Sequence, residues 1–187
     1  MSEDSKNELV LKASEAILAL LKEHLPPERW TKAEEVLSKN EKFFLAPASS
    51  RVQYHGCFPG GLVIHTYNVL EVALRLAEAL GYKQKDSLVV AAVFHDLGKI
   101  NLYEGSGKSY KKTNLGLPHS AESLRILAEH GFALSPDEYQ AILMHNGLYT
   151  PMGEETKLKE SQLALIIHWS HMWATVHMEK VAEKASS

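Results

Sequence analysis

The chain has 187 residues, 45% of them hydrophobic and 23% charged, with a formal net charge of −3. That length and composition fit one ordinary globular domain with a substantial core. The acidic balance argues against broad electrostatic binding to a nucleic-acid backbone. The single cysteine, Cys57, excludes an internal disulfide and a cysteine-based zinc site, and no apolar run is long enough to span a bilayer.

The opening residues, MSEDSKNE, are polar and acidic, unlike a signal peptide, so a cytoplasmic protein is expected. Residues 8–24 carry helical apolar spacing at Leu9, Ala13, Ala16, Ile17, Leu20 and Leu21, and Pro26 with Pro27 breaks that helix. Thr31 followed by Glu34 reads as a capping box opening a short helix near 32–38. The Pro- and Gly-punctuated stretch 43–61 reads as a structured loop with one helical turn. A strong helix over 62–80 is stopped by Gly81. Asp86 is expected to cap the next helix, which carries the apolar run Val89, Val90, Ala91, Ala92, Val93, Phe94 and ends at Gly98.

Residues 101–117, polar and Gly-rich with Lys108, Lys111 and Lys112, read as a surface loop. A helix over 119–131 stops at Gly131. Ser135, Pro136 and Glu138 form a capping box with proline at the first helical position, opening a helix to about His145. A loop at 146–158 precedes a last helix over roughly 159–183. On it Ala164, His168, His171 and Thr175 share a stripe suited to an inward-facing site. Leu165, Trp169, Met172 and Val176 form an adjacent apolar stripe expected to face the core. No strand series emerges. The predicted fold is all-α, a compact helical bundle forming a single domain over 1–187, with a helical extension over 1–42 and the core over 43–183.

Ten histidines are the unusual count. His24, His130 and His177 read as scattered surface residues. His95 and Asp96 stand out, because polar groups that follow a strongly apolar run must be hydrated, paired or bound to a metal. The positions His65, His95, His119, His145 and His171 are separated by 30, 24, 26 and 26 residues. Each step is about one helix plus one loop, as a bundle requires to bring one ligand per helix to a shared interior site. Histidine and aspartate together suit zinc, manganese or iron better than calcium. Each residue alone also has a plainer reading. His65 can be a satisfied structural histidine, His145 a helix C-terminal cation, His171 buried packing beside His168 and Trp169, and His95–Asp96 a hydrogen-bonded pair.

The motif GGLVIHT, followed 30 residues after its His65 by FHDLGK, resembles the HD-domain metal-dependent phosphohydrolase superfamily. The segment APASSRVQYHGCFPGGLVIHTYNVL, with LPHSAES and YQAILMHNGLYT further on, is similar to the HD domains of bacterial 3′-to-5′ exoribonucleases, over about residues 43–178. The resemblance implies metal ligands at His65, His95 and Asp96, with His119 and His145 added where a second ion is held. The implied cofactor is one or two divalent transition-metal ions (manganese, iron, zinc or nickel), Asp96 bridging because a carboxylate has two oxygens to share. The family usually closes its core site with an aspartate in an Ala-Asp pair. Ser170 and His171 stand there, so His171 is the candidate substitute, without the negative charge. Tyr54–His55 and His145–Asn146–Gly147 replace a His pair and a His-His-Gly.

The implied reaction is hydrolysis of a phosphoester in a nucleotide or short oligonucleotide by metal-activated water, with Asp96 and Lys99 catalytic. Lys99 is also a candidate phosphate contact, or in its plainer reading a helix-end lysine. Arg51, His55, Lys112, Lys108 and Lys111 are further candidates, although a solvated face is the plainer reading of the three loop lysines. Tyr67 and Tyr149 are candidates to stack on a base, or core and rim residues. Long nucleic acid and membranes are not expected partners, and no GYP motif supports a cyclic dinucleotide of the di-GMP type. A homodimer is an open alternative that no residue pattern decides. The competing class is a non-catalytic or regulatory HD domain binding a nucleotide or protein partner, which the His171 replacement favours. The third is a structural bundle with incidental histidines.

Overall fold

The computed structural model describes residues 3–51, 56–106, 109–147 and 160–179. Helix α1 (Glu3–His24) buries Ala13, Ile17 and Leu21, a fourth-residue repeat that makes one apolar stripe. Pro27 occupies the first turn of α2 (Pro27–Lys39), where its missing N–H has no helical partner to lose. The proline pair therefore sets this helix start, not a capping box at Thr31. The Thr31 hydroxyl lies inside the helix and donates to the Pro27 carbonyl at 2.9 Å. A 3₁₀ turn at Glu41–Phe44 heads the loop that leads to α3 (Gly61–Leu80).

Helix α4 (Lys85–Phe94) is the middle of the molecule. Every residue from Leu88 to Phe94 is fully buried. It is apolar on all sides because α1, α3 and two later helices, Pro136–Met144 and Gln162–Trp173, pack around it. Two expectations are corrected here. The N-cap is Gln84, without a side-chain cap bond, and Asp86 lies 3.7 Å from the Arg29 guanidinium instead. The α-helix also stops at Phe94 rather than Gly98, and a 3₁₀ turn over Leu97–Asn101 follows. The Gly98 N–H is taken by the Ser123 hydroxyl at 2.8 Å, so it cannot continue the helical ladder.

Residues 101–117 hold a small hairpin, not only a loop: β1 (Tyr103–Ser106) pairs antiparallel with β2 (Ser109–Lys112), setting Glu104 opposite Lys111. Its strands have no apolar alternation, so periodicity gave no sign of it. Helix α5 (His119–Glu129) precedes α6 (Pro136–Met144), whose capping box is present as expected. Ser135 Oγ accepts from the Glu138 N–H at 3.2 Å, and Glu138 accepts from the Ser135 N–H at 2.8 Å. Glu138 also receives both Arg29 Nη atoms at 3.0 Å, tying α2 to α6.

Helix α7 (Gln162–Trp173) is capped by Ser161 and passes into a π-helical turn, Ala174–Glu179; the last four residues of the predicted helix, 180–183, lie outside the described residues. The proposed core stripe on α7 is corrected. Trp169 and Val176 are 49% and 39% exposed, and the core face is Leu163, Ile166, Ile167 and Ser170. The buried apolar residues lie on the other side of the histidine stripe, and α3, α4 and α6 all pack against this helix. With these elements the fold is the expected all-α bundle plus one two-stranded hairpin.

Candidate metal centre

Asp96 sits where α4 unwinds, at φ −111° and ψ 9°, with His95 still helical behind it. The change of direction lets two consecutive side chains of the most buried segment turn toward the same space. Both are fully buried. Lys99, three residues on in the 3₁₀ turn, returns its Nζ to 2.7 Å from Asp96 Oδ2.

Four further helices deliver imidazoles to this point. His65 comes from the first turns of α3, and its Nε2 lies 3.3 Å from Asp96 Oδ2; His95 Nε2 lies 3.2 Å from the same oxygen. The other oxygen, Oδ1, faces His119 Nε2 at 3.2 Å and His145 Nε2 at 3.4 Å. His171, from α7, closes the cluster, its ring 5.2, 5.4 and 4.9 Å from those of His65, His95 and His145. The six side chains divide into two groups with Asp96 in both: His65, His95, Asp96 and His171, and Asp96, His119 and His145. Within each, one ligand atom per residue lies within 4.8 Å of every other.

Local contacts explain the aim of each ring. His95 Nδ1 donates to the Ala92 carbonyl at 2.7 Å and His145 Nδ1 to the Ile142 carbonyl at 2.8 Å. A carbonyl can only accept, so in the neutral ring the proton is on Nδ1 and Nε2 presents a bare lone pair. His65 Nδ1 meets Glu179 Oε1 at 2.8 Å. His119 is placed by Ser123, whose hydroxyl bridges the Gly98 N–H and the carbonyls of His95 and His119. The end of α6 is held by His168, which donates to the His145 carbonyl at 2.8 Å. Gly147 has φ +59°, and a β-carbon there would strike the His168 ring at 2.4 Å.

Burial and neighbouring charge set the protonation of each member of the cluster. Burial would raise the Asp96 pKa, but Lys99 and the surrounding histidines hold it well below the ordinary carboxylate value. Burial lowers the Lys99 pKa, and Asp96 outweighs it, leaving the ammonium more firmly protonated than usual. Burial is also the main force pushing His95, His119, His145 and His171 down, so these rings favour the neutral form. His65 is the exception. Burial presses its pKa down, but the Glu179 and Asp96 carboxylates prevail and raise it to about 9.

The result is a buried anion, paired with the Lys99 ammonium, among four rings that favour the neutral form. Among the described residues neither Asp96 oxygen receives a hydrogen bond of regular geometry, and His171 Nδ1 is buried without a partner. The Asn146 amide, 3.2 and 2.9 Å from the Nε2 atoms of His119 and His145, supplies donors to the second group only. Ligands held about 2.0–2.2 Å from a tetrahedral or octahedral ion stand roughly 3.0–3.5 Å from one another. The separations of 3.2–3.4 Å between Asp96 and its four imidazoles are of that size. The residues present therefore fit a divalent transition metal, by donor type and spacing.

The remaining predicted residues stand apart. Arg51 is exposed, its N–H donating to Ser49 Oγ at 3.3 Å, and Lys112 and Lys111 are exposed on β2. None belongs to the cluster around Asp96. Tyr67 is half-buried on α3. His55, Tyr149 and Lys108 lie outside the described residues. Glu179, Ser123 and Asn146 complete the surroundings of the cluster without being among the site residues that the sequence predicts. Asn146 adjoins His145 and was signalled by that adjacency. Ser123 and Glu179 are ordinary helix residues until the packing is known.

A buried His/Asp cluster of this geometry in a helical bundle has the donors and the spacing to fit a divalent metal ion. The family model described as HD domain matches residues 62–170, more than half of the chain, and the chain belongs to that family. Searches of curated proteins and of solved structures returned no match. HD domains bind divalent metals and are in general metal-dependent hydrolases, with non-catalytic members among them. No helix among the described residues is long and apolar enough to cross a membrane.

Proposed function

We propose that the protein is a metal-dependent phosphohydrolase that cleaves a phosphoester in a nucleotide or short oligonucleotide, in the cytoplasm. The observation that carries this reading is the division of one carboxylate: Asp96 turns Oδ2 to His65 and His95 and Oδ1 to His119 and His145. His65, His95, Asp96 and His171 would hold one ion, and Asp96, His119 and His145 a second. Such ions supply an acidified water and positive charge against phosphoryl oxygens.

The chain's own residues then have distinct tasks. Asp96 fixes the spacing between the two groups. Lys99 balances its charge and is the nearest ammonium for a substrate phosphate. His119, 24% exposed at its side chain, is the only partly open member of the six, so substrate reaches the second group first. Arg51 and Lys112, both exposed, are assigned to phosphate contacts further out, and His55 is assigned to phosphate by its sequence position alone. The net charge of −3 supports a small substrate over long RNA or DNA.

A panel of phosphomonoesters, phosphodiesters and nucleotides, assayed with and without manganese alongside metal analysis, tests the proposal. Bound metal and turnover that Asp96→Ala abolishes are expected. A folded protein with neither metal nor turnover overturns it. That result would favour a regulatory HD domain that binds without turnover, a reading supported by His171, a neutral ring where a carboxylate would bring charge.

A further inference from the structure

The geometry points to Glu179 as a positioning residue for the first metal group: its carboxylate holds the His65 ring by Nδ1 and brings that group a second negative charge. This inference rests on the metal-dependent reading above. His65 Nδ1 donates to Glu179 Oε1 at 2.8 Å, and the Asn68 amide, one turn along α3, donates to the same oxygen at 3.2 Å. The carboxylate side chain is only 9% exposed and His65 is fully buried. His95 and His145 are held at Nδ1 by backbone carbonyls, which carry no net charge. His65 is held by an anion. A carboxylate behind an imidazole fixes its tautomer and makes the opposite nitrogen a stronger metal ligand.

The backbone is wound to allow this. In an uninterrupted α-helix, at about 100° per residue, Met178 would fall roughly 20° from the face of His171, and Glu179 roughly 80° from it. The π-helical turn over Ala174–Glu179 is wider and advances less per residue. Accordingly Met178 is 37% exposed, and Glu179 is turned inward against His65. With His171 neutral, Asp96 is the one carboxylate in the first ligand group, and Glu179 supplies charge to that group from one imidazole away.

Calorimetric titration of the full chain with manganese and with zinc tests the assignment, comparing wild type with Glu179→Gln and Glu179→Ala. Glu179→Gln keeps the shape and an acceptor oxygen, so a merely structural role would leave affinity unmoved. The expected result is a 10–100-fold weaker dissociation constant for one ion, with unchanged circular dichroism of the metal-free protein. Wild-type affinity in both variants overturns the inference and leaves the hydrolase reading standing. A wild type that binds no metal overturns both. Nitrogen-resolved NMR of the zinc-loaded wild type gives a test independent of any variant: the His65 proton is expected on Nδ1, and zinc on Nδ1 would overturn the assignment.

Discussion

A β-carbon on Gly98 would lie 2.1 Å from the carbonyl oxygen of His119 and 2.7 Å from the Ser123 nitrogen. The turn after Asp96 and the start of α5 thus meet backbone to backbone, and this approach sets His119 Nε2 3.2 Å from Asp96 Oδ1. Gly98→Ala is expected to push α5 outward at a cost of about 1–3 kcal/mol. Urea denaturation measures the cost. Metal analysis of the same variant should show loss of the ion at the second group before that at the first.

Asp96 belongs to both groups, whereas His119 belongs to one. Asp96→Asn, which keeps the shape and removes the charge, is expected to abolish binding of both ions and reduce turnover to background. His119→Ala should cost one equivalent. Elemental analysis of the purified variants distinguishes these outcomes, and equal loss in the two variants would contradict the division of the carboxylate.

Lys99 is 7% exposed and its Nζ lies 2.7 Å from Asp96 Oδ2. Lys99→Met leaves that buried carboxylate short of its counter-charge, which typically costs about 3–5 kcal/mol. The loss is expected in a chelator and should shrink in saturating manganese, because a bound cation replaces the missing ammonium. Unfolding curves with and without metal give the comparison; an equal loss in both conditions would count against it.

Glu122 joins the 3₁₀ turn to α5, accepting from Asn101 at 2.8 Å and from Arg125 at 2.7 Å. Arg125 chiefly, against burial and with help from Asn101, holds its pKa below the ordinary value. A depressed folded pKa stabilises the fold above the unfolded value, about 4.3, and that contribution disappears as pH falls through the folded value. Glu122→Gln is therefore expected to cost about 1 kcal/mol at neutral pH and to flatten the loss of stability on acidification. Denaturation midpoints between about pH 3 and pH 6 would reveal it, and parallel curves for wild type and variant would refute it.

The helical bundle was legible because its strongest signals are local. The run from Leu88 to Phe94 is continuously apolar, and the histidines are spaced by whole helix-plus-loop units. The capping box at Ser135 could likewise be read from four residues. What escaped depends on contacts between distant segments. Gly98 ends no α-helix because Ser123, 25 residues away, takes its N–H. The hairpin at 103–112 is held by ladder bonds that its polar sequence does not announce. The outward position of Trp169 depends on how α3, α4 and α6 pack against α7, a tertiary choice. Glu179 was hidden for a further reason: at regular helical spacing its neighbour Met178 occupies the favoured position, and only the π-helical winding reverses the two.

The span that marks this chain as an HD domain, 62–170, leaves out much of what supports α4. Ile17, Leu21, Ala33, Val36 and Leu37 belong to the same hydrophobic cluster as Val89 and Phe94, and Arg29 neutralises Glu138, whose side chain is 1% exposed. A fragment trimmed to the recognisable segment would bare one flank of its central helix and strand an internal carboxylate without its guanidinium. It would also end before Glu179. The structural support of the central helix therefore extends beyond the signature, and expression boundaries chosen from the signature alone would remove part of the core that holds it.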